Sequence, residues 1–315
     1  MTEHGSTAGE VPEALLRPHV PAIDEILGRA FQVLDQGFVR VVDYMGGDAS
    51  IVQAARVSYG AGTKQVHEDS GLIRYLIRHA HTTPFEMCEL KLHVRVPMDC
   101  WRQWIRHRTA SVNEYSTRYS VAIDASQRTA PTEWRLQSVT NKQGSGGFVD
   151  SSVGERLSQE EVTFHQAARE LYDRRLQAEV AREQARKDLP LSTYTEAYWK
   201  VDLHNLFNFL ALRMDAHAQT EIRAYATVIG EQIVARWCPA AWNAFTDYRL
   251  SSLSLSRTEQ AILAAITSGV AARALELAQE SGWLNRNDAG ELRTNRERAE
   301  FEAKLIRLNV SKPWM

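Results

Sequence analysis

Alternation of apolar and polar residues is clearest between Cys88 and Val96, where Cys88, Leu90, Leu92, Val94 and Val96 interleave with Glu89, Lys91, His93 and Arg95. A period of two puts the apolar set on one face, so this stretch predicts a strand with one wet face. Pro97 ends it and suits the first position of a helix, where its missing N–H would be unpaired anyway. Trp101, Trp104, Ile105 and Arg108 then fall at i, i+3, i+4 and i+7, which carries that helix to Arg108. Upstream, Phe38-Val39-Arg40-Val41-Val42 is β-branched and aromatic and Gly46-Gly47 punctuates it, so it predicts a strand running into a turn. Ile51 to Val57 predicts a helix start with Asp48 or Ser50 as cap.

Farther along, helical patterns run through 159–187 and 197–236, separated by Leu189-Pro190-Leu191, and Ala/Leu periodicity from Ser254 onward predicts a helical appendix. Residues from about 137 to 160 turn to Gln, Ser, Gly and Asn around Gly144-Ser145-Gly146-Gly147, which predicts a mobile surface loop. Residues 1–35 mix proline and charge with a short apolar run (Ile23, Ile26, Leu27, Phe31), which predicts a loosely attached extension with order beginning near Phe38. There is no internal repeat. Strands early and long helices later, without βαβ alternation, favour an α+β fold over a doubly wound sheet: a mainly antiparallel sheet packed with long helices, plus helical terminal extensions.

Composition narrows the functional classes. Of 315 residues, 44% are hydrophobic and 24% charged, which suits a globular protein with a sizeable core. The net charge of −2 provides no global field for nucleic acid or an anionic membrane, so neither is an expected partner and any anion site is local. Cys88, Cys100 and Cys238 make neither a disulfide framework nor a zinc pair. The first residues lack a basic region followed by an apolar run, and no stretch approaches the ~18 apolar residues that span a bilayer. The expectation is a soluble cytoplasmic protein.

Candidate chemistry concentrates in Trp101 to Ser120, which carries Arg102, Arg106, Arg108, Arg118 and His107 against a single acid, Glu114. Planar guanidiniums grip phosphate bidentately and aromatic neighbours stack on heterocycles, so a nucleotide or dinucleotide fits. If 113–119 is extended, period two puts Glu114, Ser116 and Arg118 on one face, a set able to read ribose hydroxyls and a phosphate. A solvated helix end accounts for one such arginine, but not for four beside a histidine, a glutamate and a serine. Other chemistries are poorly served. Gly60-Ala61-Gly62 lacks the third glycine of a dinucleotide loop, the histidines lack metal-ligand spacing, so no metal is expected, and no cysteine has a base near it in sequence. On the 197–236 helix, His204 and Asn208 share one polar side, with Asp202 and Arg213 nearly opposite.

Arg106-His107-Arg108, seven residues, then Ser116 resembles the signature of the flavin-dependent thymidylate synthases. The likeness extends through Gln103-Trp104-Ile105 before it and Asn113-Glu114-Tyr115-Ser116-Thr117-Arg118-Tyr119-Ser120 after it. Ala54-Ala55-Arg56-Val57-Ser58, His81-Thr82-Thr83-Pro84-Phe85-Glu86, Arg186 before Leu189-Pro190, and Asn208-Phe209-Leu210-Ala211-Leu212-Arg213 are similar blocks. The resemblance covers roughly residues 35–248 and implies a catalytic domain over 36–250 between an extension at 1–35 and a helical one at 251–315. It implies an α+β subunit in a homotetramer, with active sites at subunit contacts, that converts dUMP to dTMP with FAD, NADPH and 5,10-methylenetetrahydrofolate.

By position, the resemblance puts Arg106, His107, Arg108 and Glu114 on the flavin, with Ser58, Asp202, His204 and Asn208 beside them and His81 and Thr83 arriving from another subunit. Gln103, Trp104, Ile105, Arg106, Glu114, Tyr115, Ser116, Thr117, Arg118 and Arg186 would surround dUMP. Arg213 would be the catalytic arginine that stabilises an ionised pyrimidine. Where many members have Asn-x-Arg, this chain has Asp202-Leu203-His204, a departure that weakens the flavin roles of Asp202 and His204. The alternative without the resemblance is a nucleotide- or RNA-binding regulator built on the Arg/aromatic patch.

Overall fold

The structure, a computed structural model, describes residues 18–57, 66–138 and 144–314. It forms two compact units, 1–250 and 251–315. In the first, α1 (Pro21–Asp24), β1 (Ala30–Val33) and β2 (Gly37–Met45) lead into α2 (Asp48–Val57), α3 (Val66–Arg78) and α4 (Thr83–Glu86). β3 (Glu89–Pro97), α5 (Met98–Trp104) and β4 (Ser111–Glu114) follow. Next come β5 (Arg135–Gln137), β6 (Ser145–Phe148), α6 (Ser151–Gln177) and α7 (Arg182–Ala185). β7 (Tyr194–Asp202), α8 (Leu203–Arg213), α9 (Thr220–Val228), α10 (Ala235–Trp237) and α11 (Pro239–Phe245) complete the unit.

Five strands pair antiparallel in the order β1-β2-β3-β7-β4, and β5 and β6 form a separate hairpin. β3 is central because its alternation is complete. Leu90, Leu92, Val94 and Val96 are buried, and across the ladder they meet Val201, Trp199, Ala197 and Thr195 of β7. The other face pairs Lys91 directly with Lys200, a repulsive arrangement. Each lysine turns to its own acid, Lys91 to Asp43 at 3.5 Å and Lys200 to Glu89 at 2.8 Å. At the start of β2, a Cβ on Gly37 would collide with Tyr225 Oη, whose hydroxyl donates to Arg95 O at 2.7 Å. Gly37 therefore lets α9 close onto the sheet.

Beneath α5 lies an aromatic cluster. Trp104 is fully buried and meets Trp199, Phe209 and Tyr225 at centroid distances of 5.3, 4.8 and 5.8 Å. The second unit packs α12 (Arg257–Thr267), α13 (Ala271–Glu280) and α14 (Arg296–Arg307) around Ile262, Trp283, Phe301, Leu305 and Trp314. Ser256 and Glu259 close a capping box on α12, and Lys304 of α14 donates to Glu259 at 2.6 Å.

Several local expectations give way to tertiary pairing. Order begins well before Phe38: Ile23 and Ile26 are buried, and Ala30–Val33 pairs with β2 as the sheet's first strand. Residues 197–202 are strand rather than helix, because Ala197, Trp199 and Val201 alternate against β3. The Gly/Ser stretch contains β6, and α6 starts at Ser151, capped by Asp150, whose carboxylate accepts from Ser152 N at 2.9 Å. Asp48 does not cap its own helix; its carboxylate accepts from Ala240 N at 2.8 Å and Ala241 N at 3.0 Å, capping α11 instead. Ser50 Oγ accepts from Gly47 N at 3.3 Å.

Candidate active site

α5 stops at Trp104, four residues short of the expected Arg108, because the chain must turn to lay β4 on the edge of β7. His107 N closes that turn on Trp104 O at 3.0 Å. Arg106 and Arg108 are exposed, and neither guanidinium has an acid partner among the described residues. His107 lies half-buried with its ring edge-on to Phe209 at 5.0 Å. The Trp104 side chain is buried in the core, whereas Ile105 is exposed.

Arg213 closes α8 and reaches back under this turn. Its Nε donates to His107 Nε2 at 3.2 Å and its Nη2 to Gln103 O at 3.0 Å. Burial lowers its pKa from the ordinary arginine value, yet a guanidinium remains protonated at neutral pH. The same burial, reinforced by the Arg213 charge, brings His107 down to about 4. The Gln103 side chain is tied to Gln219 at 2.5 Å, and Gln219 in turn donates to Asp99 at 3.2 Å.

β4 spans four residues, ~13 Å of chain, and leads to a second cluster. Glu114 is its last residue, and the buried Thr195 hydroxyl donates to Glu114 Oε1 at 2.9 Å. Extension ends there. Tyr119 N and Ser120 N both bond to Ser116 O, so residues 116–120 are a turn and Glu114, Ser116 and Arg118 do not share a strand face. The turn is clamped from α7 and just beyond it. Arg186 donates to Thr117 Oγ1, Arg182 to Tyr119 O at 2.6 Å, and Glu183 pairs with Arg118 at 3.0 Å. Tyr115 Oη donates to Val121 O at 2.8 Å. Ser116, Thr117, Arg118 and Arg186 therefore converge, although about seventy residues separate the turn from Arg186.

The remaining expected residues lie elsewhere. Asp202 caps α8, its carboxylate accepting from Asn205 N at 2.9 Å and Asn205 Nδ2 at 2.7 Å, so its oxygens already serve the fold. His204 and Asn208 are one turn apart, 3.3 Å from ring nitrogen to amide nitrogen. His81 and Thr83 line a cavity of about 640 Å³ with Ala54, Leu72, Tyr75 and Met87. Among the described residues no hydrogen bond or ring contact links them to the Arg106–Ser116 segment. Ser58 lies outside the described residues. The sequence reading missed Thr195, Gln219, Asp99, Arg182 and Glu183. Thr195 lies in the first residues of β7, ahead of the 197–236 stretch read as helix, and Gln219 heads α9 without a capping side chain, so neither announces itself.

The sequence profile of the family described as thymidylate synthase complementing protein matches residues 40–240. The chain belongs to this family. The match takes in both clusters and the cavity around His81. Among the family's members, the flavin-dependent thymidylate synthase of Wolbachia pipientis wMel is 48% identical over 280 residues, 89% of this chain and 96% of that protein. The flavin-dependent thymidylate synthase of Ruegeria pomeroyi is 54% identical over 240 residues, 75% of this chain and 79% of that protein. A solved structure, the UMP/dUMP methylase PolB from Streptomyces cacaoi bound with 5-Br dUMP, superposes with a TM-score of 0.62 at 31% identity, covering 70% of this chain and 98% of that one. The matched region therefore carries both the mixed helix and sheet fold and the arginine clusters.

Proposed function

We propose that the chain converts dUMP to dTMP with 5,10-methylenetetrahydrofolate as carbon donor, NADPH as reductant and FAD as cofactor, as a flavin-dependent thymidylate synthase. The observation that carries this reading is the convergence of Ser116, Thr117, Arg118 and Arg186 on one turn, joined by β4 to a second turn beneath which Arg213 is anchored. Overall, dUMP, methylenetetrahydrofolate, NADPH and a proton give dTMP, tetrahydrofolate and NADP⁺. The regulator alternative finds no support among the relatives, which are enzymes.

The residues present fit a flavin dinucleotide. Two guanidiniums with no acid partner among the described residues, Arg106 and Arg108, stand at one turn, where a diphosphate can be held bidentately. His204 and Asn208 offer polar groups on α8, and the cavity at His81 and Thr83 is mostly apolar and large enough for a flat ring. Asp202, occupied as a helix cap, is the weakest member of the set. FAD held by these residues would supply the hydride chemistry that links NADPH to the new methyl group.

The chain's own work is binding and charge stabilisation. Arg118 and Arg186 hold the phosphate of dUMP, with the Ser116 and Thr117 hydroxyls as further partners, while Gln103, Glu114 and Tyr115 address sugar and base. Thr195 keeps the Glu114 carboxylate aimed. Arg213 faces the pyrimidine and stabilises negative charge that develops on the uracil as its ring carbon becomes nucleophilic, a preorganised role suited to a desolvated guanidinium. No cysteine thiol takes part: Cys88, Cys100 and Cys238 are buried, and burial pushes the Cys100 and Cys238 thiols far above their ordinary range.

The catalytic domain is assigned to 36–250, with β1 (Ala30–Val33) completing its sheet from the preceding segment and the helical unit at 251–315 following it. The site is assigned to a homotetramer in which His81 and Thr83 come from a second subunit; among the described residues no hydrogen bond or ring contact ties them to the arginine turn of their own chain. No helix among the described residues is long and apolar enough to cross a membrane, which agrees with a cytoplasmic enzyme. Incubation with dUMP, methylenetetrahydrofolate and NADPH tests the reading: dTMP forms, and the purified protein shows a flavin absorption band. A colourless protein that takes up no FAD and makes no dTMP refutes it. Sedimentation should give four times the mass of the chain.

A further inference from the structure

Arg213 is restrained from two directions, and the restraints are unequal in kind. The Gln103 carbonyl is backbone, fixed by the last turn of α5. His107 is a side chain with a choice of protonation states, and only one of them suits Arg213. A guanidinium only donates, so the ring nitrogen facing Arg213 Nε at 3.2 Å must carry a lone pair. The ring proton then resides on Nδ1. A doubly protonated ring would set N–H against N–H and place two cations side by side at a desolvated spot. Phe209 packs edge-on against the imidazole at 5.0 Å and an interplanar angle of 76°, which fixes the ring plane from the other side.

We propose that His107 is a positioning residue for the thymidylate reaction: a neutral, Nδ1-protonated imidazole whose Nε2 lone pair sets the orientation of the Arg213 guanidinium. This rests on the assignment of Arg213 to the uracil. Burial and the Arg213 charge hold His107 near 4, in keeping with the neutral form at working pH. Five N–H groups belong to a guanidinium; with Nε and one Nη2 hydrogen engaged, three remain for substrate. The His107 ring would then offer a bound cofactor a neutral Nδ1–H donor, and within the Arg-His-Arg run the positive charge belongs to Arg106 and Arg108. In this role the three residues of the Arg-His-Arg run divide into two anchors for phosphate and one spacer for the catalytic arginine.

A misplaced catalytic group costs on the order of 10²-fold when it shifts by about an ångström. His107→Ala should therefore lower kcat for dTMP formation by roughly 30- to 100-fold with KM for dUMP within about threefold, and His107→Gln, a neutral side chain able to accept at the same place, should recover at least tenfold of that loss. Equal losses in the two variants, or no loss in either, overturn the proposal. A second measurement needs neither turnover nor a variant that folds. Nitrogen-15 NMR of the wild-type protein stripped of cofactor should show His107 as the neutral Nδ1–H tautomer throughout pH 5.5–8. An imidazolium, or the Nε2–H tautomer, in that range overturns it. If wild type makes no dTMP, the thymidylate reading fails, while the tautomer still decides the pairing of His107 with Arg213.

Discussion

Asp48 offers the sharpest test of how the first unit is assembled, because its carboxylate ties α2 to a helix that begins 191 residues later. Asp48→Ala removes the acceptor of two backbone N–H groups, Ala240 and Ala241, at 2.8 and 3.0 Å. An orphaned buried donor costs about 1–3 kcal/mol, and a carboxylate at a helix N-terminus adds ~0.3–1 kcal/mol. Against this, alanine relieves the desolvation of the carboxylate, the largest influence on Asp48 and the one that raises its pKa against the opposing backbone bonds. The net expectation is a loss of about 2–4 kcal/mol. For a unit of this size that is roughly 5–15 °C in Tm. Asp48→Asn keeps one acceptor and should lose about half as much. Ser50→Ala, which removes only a 3.3 Å contact to Gly47 N, should stay within about 0.5 kcal/mol. Thermal melts and urea titrations followed by circular dichroism measure all three. An Asp48→Ala protein melting within about 2 °C of wild type would refute the capping account. The sign with pH follows from the raised pKa: folding favours the protonated carboxyl, so this group's contribution is full below the ordinary carboxylate pKa and is lost as pH rises through the folded value.

Thr195→Val keeps the shape of a buried side chain but removes the donor to Glu114 Oε1; KM for dUMP should rise roughly tenfold with little change in Tm, and an unchanged KM would show that Glu114 needs no such support. His107 titrates with the opposite sign to Asp48. Its folded pKa of about 4 lies below the ordinary 6.5, so its contribution to stability is full above 6.5 and is lost as pH falls toward 4. His107→Gln should flatten the pH dependence of urea midpoints in that window, and identical slopes would count against the assigned shift. Gly37→Ala should destabilise by about 2–4 kcal/mol through its collision with Tyr225 Oη and the Arg95 carbonyl, with partial relief from Tyr225→Phe; a neutral Gly37→Ala would mean that α9 can shift away from the sheet.

What the chain discloses without its fold depends on how local the cause is. β3 was readable because one face is dry and the other wet over its whole length, and the Trp101–Ser120 run because four guanidiniums crowd a short segment of a nearly neutral protein. β7 was not, because it runs without a break into α8, whose Leu203, Leu206, Phe207 and Leu210 carry a helical spacing that masks the short alternation of Ala197, Trp199 and Val201 before it. The end of α5 at Trp104 is likewise imposed by β4 pairing with β7, a contact between segments some eighty residues apart. Asp48 carries the composition of a local cap and serves a remote one. In the site, the residue types proposed to touch ligands were legible, and those that hold them in place were not. Gln219, Thr195 and Glu183 matter only through partners that the fold brings to them.

The dry aromatic cluster beneath the arginine turn gives the protein a built-in optical reporter. Trp104 and Trp199 are fully buried, and their indole N–H groups have no hydrogen-bond partner among the described residues, an environment that shifts emission to the blue and keeps water from quenching it. Trp104 also touches Phe209, on which His107 rests. A ligand that absorbs near their emission and settles against the turn would drain that light by energy transfer. Loading of the site can then be followed as loss of intrinsic fluorescence, with no dye attached.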